Sequence, residues 1–265
     1  SEEARRPFDL RRGPLLRAEL VLLGEEEHLL LLTMHHIISD GWSMNILLRE
    51  LAALYEAFSS GRPSPLAELP IQYADFALWQ RERHSGEVLK TQLAYWKEQL
   101  QGAPAALELP TNRVRPKVQT HYGAEAARHF SKELSDELKS LSRREDVTLF
   151  MTLLAAFQLL LSRYSGQEEI VVGSPIANRT CNEIEGLIGF FVNTLALRTN
   201  LSGNPSFRQV LARVRKTALE AYTHQDIPFE KLVEELQPPR EMSRHPLFQV
   251  MFVLQNTSQP TLAFS

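Results

Sequence analysis

The order of apolar and polar positions predicts strands near the start of the chain and helices after them. Residues 15–23 and 28–36 are apolar runs separated by a polar turn at 24–27, which is typical of a β-hairpin. Between 43 and 58 the apolar side chains recur at helical spacing, so a helix is predicted there. Two further helices are predicted, at about 72–82 and 87–100.

The second half of the chain repeats this mixture of periods. Residues 147–164 are apolar on nearly every side, which predicts a core helix. A long helix is predicted to begin at Ser206 and a shorter one after Pro228. Short apolar runs predict strands at 123–130, 169–173, 190–198 and 247–254. This mixture indicates an α/β fold of the α+β type, arranged as two lobes.

The stretch 102–120 separates the two halves. It carries three prolines and little periodicity, which is typical of a linker. The sequence therefore predicts an N-terminal lobe over 1–105, an inter-lobe linker over 106–120 and a C-terminal lobe over 121–265. Because the chain begins at a serine rather than a methionine and stops after an apolar run, we expect it to be a piece of a longer protein.

Composition narrows the classes of function. The 265 residues include 29 Lys and Arg against 32 Asp and Glu, so the basic excess of a general nucleic-acid binder is absent. The single cysteine, Cys181, excludes a disulfide framework and a cysteine-rich zinc module. No apolar run approaches the roughly 20 residues of a membrane span, and no signal segment follows Ser1. We expect a cytoplasmic protein that binds neither nucleic acid nor membrane and holds no metal.

The string M-H-H-I-I-S-D-G-W-S at 34–43 lies where a predicted strand ends and a predicted helix begins. Functional groups are often found at such junctions. Because side chains alternate along a strand, His35 and His36 are expected on opposite faces and are poorly placed to bind one metal together. Asp40 and Gly41 permit a tight turn and a close approach of a ligand to the backbone.

Two interpretations of this string stay open. Histidine is the side chain best suited to move a proton at neutral pH, so one interpretation is an acyl transfer without a covalent acyl-enzyme. An imidazole would accept a proton from the attacking amine or hydroxyl, and Asp40 would orient the segment through a charged partner. The alternative is that His35 and His36 are ordinary strand-end residues and that Asp40 caps the next helix.

Other polar residues favour structural interpretations. Asn193 lies among apolar neighbours, and its amide is either a hydrogen-bonded core group or a group that faces a substrate. Cys181 lacks the local signature of a nucleophile, and no phosphate-binding loop or serine-nucleophile motif is present. Asp75 is interpreted as a solvated or capping charge on a helix, and His224 and Asp226 as polar groups at a helix entry rather than as a catalytic dyad.

Five motifs together resemble those of condensation domains from non-ribosomal peptide synthetases. They are H-H-I-I-S-D-G at 35–41, Y-A-D-F-A-L-W-Q at 73–80, I-G-F-F-V-N-T at 188–194, H-Q-D-I-P-F-E at 224–230 and R-H-P-L-F-Q-V at 244–250. The first motif is shared, with variation, by epimerization and cyclization domains and by chloramphenicol-acetyltransferase-like enzymes. All five occur in the family's order, so the resemblance covers essentially the whole chain.

The resemblance implies two chloramphenicol-acetyltransferase-like lobes that form a V around a tunnel, with the first lobe and the end of the second incomplete. Donor and acceptor peptidyl carrier proteins would dock at opposite mouths, and an adenylation domain would be adjacent in the synthetase. Each carrier holds its acyl group as a thioester on a phosphopantetheine arm, and the domain itself binds no cofactor. The acceptor amine attacks the donor thioester, and an amide forms.

The resemblance also implies residue roles. His36 matches the catalytic histidine, and His35 and Asp40 match residues that shape the motif. Gly41 matches a position that lines the channel, and Asn193 matches a polar position that faces the tunnel from the opposite lobe.

Two departures from the family pattern concern the ends of the domain. An early motif of the R-H-E-x-L-R-T kind has no counterpart here, so the arginine that would pair with Asp40 is missing or replaced. The strands that follow Phe264 in the family are also missing. We therefore expect a fragment with an impaired site, low stability and an apolar surface that favours aggregation.

Three alternatives to peptide-bond formation stay open. They are an epimerization domain, a stand-alone acyltransferase and a non-catalytic platform that docks carrier proteins. Residues 42–43 and the helical stretch 45–51 resemble the condensation branch more than the epimerization branch. The same string weakly favours domains that join two L-configured residues.

Overall fold

The chain is described by a computed structural model over residues 3–120, 122–238 and 241–255. Within these ranges the structure divides into two compact units. The first unit comprises the described residues up to Arg81 together with Ala177–Val192. The second unit comprises Glu82–Ile176 and Asn193–Gln255.

The secondary structure mixes helices and strands, which confirms the predicted fold class. The strands are β1 (Leu16–Leu22), β2 (His28–Met34), β3 (Glu169–Ile176) and β4 (Asn193–Asn200). The helices are α1 (Gly41–Ser59), α2 (Tyr73–Arg83), α3 (Gly86–Leu100), α4 (Lys132–Arg144), α5 (Leu149–Ser165), α6 (Asn182–Glu185), α7 (Phe207–Thr223) and α8 (Phe229–Leu236). A 3-10 turn, His36–Ile38, lies between β2 and α1.

A hairpin and a long helix form the frame of the first unit. β1 and β2 pair antiparallel over their full length, which confirms the predicted hairpin. α1 begins directly after Asp40, because the carboxylate of Asp40 accepts a hydrogen bond from the Ser43 amide at 2.8 Å and so caps the helix. A small apolar cluster packs in this unit, formed by Phe76, Ile184, Leu187 and Phe191.

The second unit has a larger apolar core. β3 and β4 pair antiparallel over their full length, and α5 and α7 pack with these strands. α5 begins where the Thr148 hydroxyl accepts the Met151 amide at 3.2 Å, and α7 begins with a capping box of Ser206 and Gln209. The core includes Trp96 from α3, Leu154 from α5, Val172 from β3, Leu197 from β4, Val214 from α7 and Leu232 from α8.

Three predicted strands differ from the structure. Residues 123–130 form no strand and are exposed, since the described residues offer no paired strand at this point. The strand predicted at 190–198 begins at Asn193 instead, because the preceding amides donate to a side chain rather than to a neighbouring strand. The strand predicted at 247–254 is reduced to one parallel bridge with β3.

The two units do not follow the predicted lobe boundaries. Trp96 of α3 precedes the predicted boundary at 105, yet it is buried in the core of the second unit. Ala177–Val192 falls in the predicted C-terminal lobe, yet its apolar residues pack in the first unit. Residues 106–120 contain neither helix nor strand. Their role as a linker, and the V-shaped arrangement of lobes, stay predictions.

Among the described residues, no single helix is both long and apolar enough to cross a membrane, and α4 and α5 have the required length and composition only as a pair bent by 103°. No group of three or more His, Cys, Asp or Glu side chains in these ranges is arranged to hold a metal ion.

Candidate active site

The imidazole of His36 is held by a backbone carbonyl at the end of β2. Its Nδ1 lies 2.6 Å from the carbonyl oxygen of Ser39. Because a carbonyl oxygen only accepts, Nδ1 must carry the proton, and the lone pair of the neutral ring is then on Nε2. The His36 side chain is exposed, so Nε2 is available to a reacting group.

His35 has a different role from that of its neighbour. Its Nδ1 accepts a hydrogen bond from the Ile37 amide at 3.1 Å, so this ring caps the 3-10 turn that carries His36. The ring also meets Phe8 edge to face, with centroids 6.0 Å apart. These contacts hold the 3-10 turn in place, and the motif-shaping role of His35 stays a prediction.

Asp40 is buried and fully hydrogen-bonded. One oxygen accepts from the Ser43 amide at 2.8 Å, and the other accepts from the amides of Phe191 at 3.0 Å and Val192 at 3.2 Å. Burial alone would raise the pKa of Asp40. The hydrogen bonds from Ser43 and Phe191 and the charge of Arg179 outweigh it and hold that pKa below the usual value of 3.8. The carboxylate is therefore charged at neutral pH.

Arg179 is the charged partner of Asp40. The sequence left open what replaces the missing arginine, and the structure places the Nη2 atom of Arg179 3.3 Å from the Asp40 carboxylate. Both side chains are almost completely buried. The guanidinium also donates to the carbonyl oxygens of Ile184 and Leu187, and it stacks over the ring of Phe191 at 4.0 Å. Asp40 therefore has a charged partner within the described residues.

Sequence reasoning missed Arg179 because its position carries no local signal. It lies in the loop between β3 and α6, 139 residues away from Asp40 along the chain. Its charge is typical of an exposed loop residue, so only the folded chain shows that it is buried.

Ser43 joins α1 to residues 189–192, which we call the clamped segment. The Ser43 hydroxyl donates to the Gly189 carbonyl at 2.8 Å and accepts from the Gly189 amide at 3.0 Å. The same hydroxyl accepts from Arg179 at 2.8 Å. Ser43 is completely buried, so each of these polar atoms depends on the others for its partners.

Tyr73 holds the clamped segment from another side. Its hydroxyl donates to the carbonyl oxygen of Phe190 at 2.8 Å. Burial first, and the charge of Asp40 second, raise the pKa of Tyr73, so its hydroxyl stays a proton donor at neutral pH. The Tyr73 ring lies so close to Gly189 that a Cβ atom at that position would overlap it. Glycine is therefore required at position 189 for steric reasons.

The clamped segment carries the aromatic neighbour of His36. The rings of Phe190 and His36 meet edge to face, with centroids 5.4 Å apart and an angle of 80° between their planes. Neither Phe190 nor Tyr73 was predicted from the sequence to be a site residue. Their place in the motifs at 188–194 and 73–80 was the available signal.

Gly41 is the first residue of α1 and is exposed. A Cβ atom at this position would meet no other atom within 4 Å, so packing among the described residues does not require glycine here. Its role in lining a channel stays a prediction.

Asn193 is buried in the second unit, and its amide group has no free hydrogen-bonding atom. The nitrogen donates to the carbonyls of Gln225 and Ile227, each at 2.8 Å. The oxygen accepts from the amides of Thr194 at 2.8 Å and Phe229 at 3.0 Å. This geometry favours the first of the two alternatives, a hydrogen-bonded core asparagine. A position facing a tunnel stays a prediction for Asn193.

The remaining polar candidates lie in structural positions. Asp75 caps the start of α2, where its carboxylate accepts the Gln72 amide at 2.8 Å. Asp226 pairs with Arg83 at 3.4 Å, and the His224 ring stacks on Tyr95 with centroids 3.9 Å apart. Burial and the neighbouring Glu183 raise the pKa of Cys181, which disfavours the reactive thiolate.

His36 is exposed, its Nδ1 donates to the Ser39 carbonyl, and Asp40, four residues further on, is paired with the buried Arg179. The chain belongs to the condensation-domain family, because the family model described as "Condensation domain" matches residues 1–263.

Curated relatives support the same assignment. The chain is 61% identical over 262 residues to one component of the linear gramicidin synthase of Brevibacillus parabrevis, which is 99% of this chain and 3% of that protein. It is 52% identical to malpinin synthetase of Mortierella alpina over 261 residues, 98% of this chain and 3% of that protein. The chain therefore spans a small part of the relatives it matches.

Solved structures share the fold. The crystal structure of the X-domain from teicoplanin biosynthesis matches with a TM-score of 0.88 and 33% identity, over 95% of this chain and 57% of that one. The same X-domain in complex with OxyB matches with a TM-score of 0.85 and 34% identity, over 93% of this chain and 55% of that one. The first condensation domain of the calcium-dependent antibiotic synthetase matches at 23% identity with a TM-score of 0.68, over 89% and 53% of the two chains, and shows the fold alone.

Proposed function

We propose that this chain catalyses amide-bond formation between a donor acyl or peptidyl thioester and an acceptor aminoacyl thioester. The observation that carries the proposal is the geometry of His36. Its Nδ1 donates to the Ser39 carbonyl, which in the neutral ring leaves the lone pair on Nε2, and the side chain is exposed. Membership of the condensation-domain family supports the same reaction class.

The reaction moves one proton from the attacking nitrogen to the departing sulfur in two transfers, and His36 can carry it between them. The acceptor amine attacks the carbonyl carbon of the donor thioester, so a C–N bond forms and the nitrogen becomes acidic. Nε2 accepts that proton while the C–S bond breaks. The departing sulfur takes the proton up as a thiol, which returns the imidazole to its starting state. No covalent acyl-enzyme is needed.

The substrates and partners follow from the same proposal. Donor and acceptor groups would arrive on the phosphopantetheine arms of two peptidyl carrier proteins, and an adenylation domain would be adjacent in the synthetase. The chain itself would bind no cofactor directly. The cytoplasm is the expected compartment for such carrier-bound substrates.

A non-catalytic docking platform is the second candidate. The observation that favours it is the similarity to the teicoplanin X-domain, whose solved structures include a complex with OxyB. In that case the fold would bind a partner protein, and His36 would have no chemical role. The two candidates differ in whether a single histidine matters for product formation.

A transfer assay separates these candidates. The intact protein that contains this chain is mixed with two loaded carrier proteins, and the acceptor arm is weighed by mass spectrometry. We expect a mass gain equal to the donor acyl group, reduced about a hundred- to ten-thousandfold in His36→Ala. His28→Ala is the matched control, because His28 is exposed and lies in β2, and it should retain the wild-type rate.

Two outcomes would contradict the proposal. A folded protein that leaves the acceptor mass unchanged would favour the docking platform. A mass gain that survives His36→Ala would keep the reaction and remove His36 from it.

A further inference from the structure

Two contacts with described residues restrain the orientation of the His36 imidazole. One is the hydrogen bond from Nδ1 to the Ser39 carbonyl, and the other is the edge-to-face contact with Phe190. The side chain is otherwise exposed. A single hydrogen bond leaves an exposed ring free to tilt about that bond, so the aromatic contact is needed to fix the direction of Nε2.

Phe190 can restrict the orientation of the His36 ring because hydrogen bonds hold the backbone of the clamped segment in place. Tyr73 holds the Phe190 carbonyl, and Ser43 holds both backbone groups of Gly189. On the other side, Asp40 accepts the amide of Phe191. The backbone is thus tied immediately before, at and immediately after the residue that touches His36.

The side chains that make these hydrogen bonds belong to the sequence motifs but have no role in the proposed proton transfer. Asp40 and Ser43 belong to the same string as His36, and Tyr73 belongs to the second motif. All three act on the segment that carries Phe190. The arrangement therefore connects the buried polar network to the exposed imidazole through one aromatic ring.

We propose that Phe190 is a positioning residue for His36, which it holds at the angle needed for proton transfer to Nε2. The inference rests on the proposed function, since it assigns the means by which the reacting imidazole is oriented. Misplacement of a reacting group by about 1 Å costs on the order of a hundredfold in rate. Loss of the ring is therefore expected to lower kcat and to leave KM for the loaded carriers unchanged.

The kinetic test compares Phe190→Ala with Phe190→Tyr in the intact protein. We expect Phe190→Ala to lower kcat about ten- to a hundredfold without raising KM, while Phe190→Tyr retains the ring and stays within about threefold of wild type. Phe58→Ala is the matched control, because Phe58 belongs to α1 of the same unit and its side chain is 60% exposed. Its rate should equal that of wild type.

A second measurement reports the contact itself without depending on activity. Diethyl pyrocarbonate modifies accessible imidazoles, and peptide mapping by mass spectrometry gives the rate at each histidine. We expect His36 to react several times faster in Phe190→Ala than in wild type or in Phe58→Ala, relative to His28 in the same sample. General unfolding would accelerate His224 as well, because its ring is half-buried against Tyr95, so His224 serves as the internal reference.

The possible results separate the role of Phe190 from the proposed function. Wild-type kcat in Phe190→Ala, in a protein where His36→Ala is inactive, would overturn the role of Phe190 and leave the proposed function standing. Activity that survives His36→Ala would remove His36 from the reaction, and the positioning role of Phe190 with it. An unchanged acceptor mass in wild type would contradict the proposed function instead. In that case the modification rate still tests the contact, and an unchanged His36 rate in Phe190→Ala would overturn it.

Discussion

The first unit buries a charged pair beside a small apolar cluster, whereas the polar side chains described as buried in the second unit are uncharged and accompany a larger apolar core. In the first unit Asp40, Ser43 and Arg179 are buried beside a small apolar cluster. In the second unit, aliphatic and aromatic side chains from α3 to α8 form one large core. A buried polar group depends on every one of its partners, while a core side chain depends on the volume it fills. The two units should therefore respond differently to mutation and to pH.

The largest expected effect is in the first unit. Arg179→Met removes the charged partner of Asp40 and leaves that carboxylate buried without compensation, which costs about 3–5 kcal/mol of stability. Urea unfolding of the variant should show this loss, and the transfer activity should fall with it. A loss below about 1 kcal/mol would show that the first unit does not depend on this pair.

A core truncation in the second unit should come next. Leu154→Ala opens a cavity in α5, where the side chain is 1% exposed, and should cost about 2–4 kcal/mol. The cavity has no charge, so the cost should be the same at pH 7 and at pH 4.5. A pH-dependent cost would mean that the apolar core is coupled to a titrating group.

The stability of the first unit is expected to fall as the pH is lowered, because of Asp40. The pKa of Asp40 is lower in the folded chain than its usual value of 3.8, so its contribution to stability is present above that value and lost as the pH falls through the folded pKa. Asp40→Asn should be less stable than wild type by about 1–3 kcal/mol at pH 6. That gap should narrow below pH 3.8, and unfolding curves measured between pH 6 and pH 2.5 test it. A gap that stays constant would show that Asp40 is not the titrating group.

Asn193 tests whether the second unit also depends on the hydrogen bonds of a buried polar side chain. Asn193→Asp keeps the shape of the side chain but replaces the nitrogen that donates to Gln225 and Ile227 by an oxygen. We expect a loss of about 1–3 kcal/mol at pH 7, measured by thermal or urea unfolding. Asn112→Asp, at an exposed loop position, is the matched control and should be neutral. Equal stability of the two variants would contradict the hydrogen-bonded role of Asn193.

The smallest effect should come from an exposed ion pair. Arg62→Met removes the pair with Glu56, where both side chains are more than half exposed, and should cost less than about 1 kcal/mol. The variant makes the same chemical change as Arg179→Met. A similar cost for both variants would show that burial is not the reason for the sensitivity of Arg179.

Local signals account for the parts of the fold that the sequence predicted. The start of α7 follows from Ser206, whose capping box uses only residues within one turn. The helix α5 follows from a long apolar run that Thr148 caps. The position of His36 at the end of a strand follows from the hairpin pattern. These features depend on neighbours in sequence, so the sequence shows them directly.

The parts that the sequence missed depend on distant partners. Residues 190–192 have the apolar pattern of a strand, yet the amide of Phe191 donates to Asp40, which is 151 residues away. Arg179 was missed for the same reason. An apolar run does not show where its backbone groups will bond, because that choice depends on which polar side chain the fold brings near.

The close approach of Tyr73 to Gly189 limits the order in which this sequence can evolve. A Cβ atom added at position 189 would overlap the Tyr73 ring and lie 2.9 Å from the Phe191 ring, so a substitution there is tolerated only if both rings move or become smaller. A smaller residue at 73 also gives up the hydroxyl that holds the Phe190 carbonyl. Both first steps therefore carry a cost, and the pair is expected to stay unchanged in a mutational path even where their immediate neighbours vary.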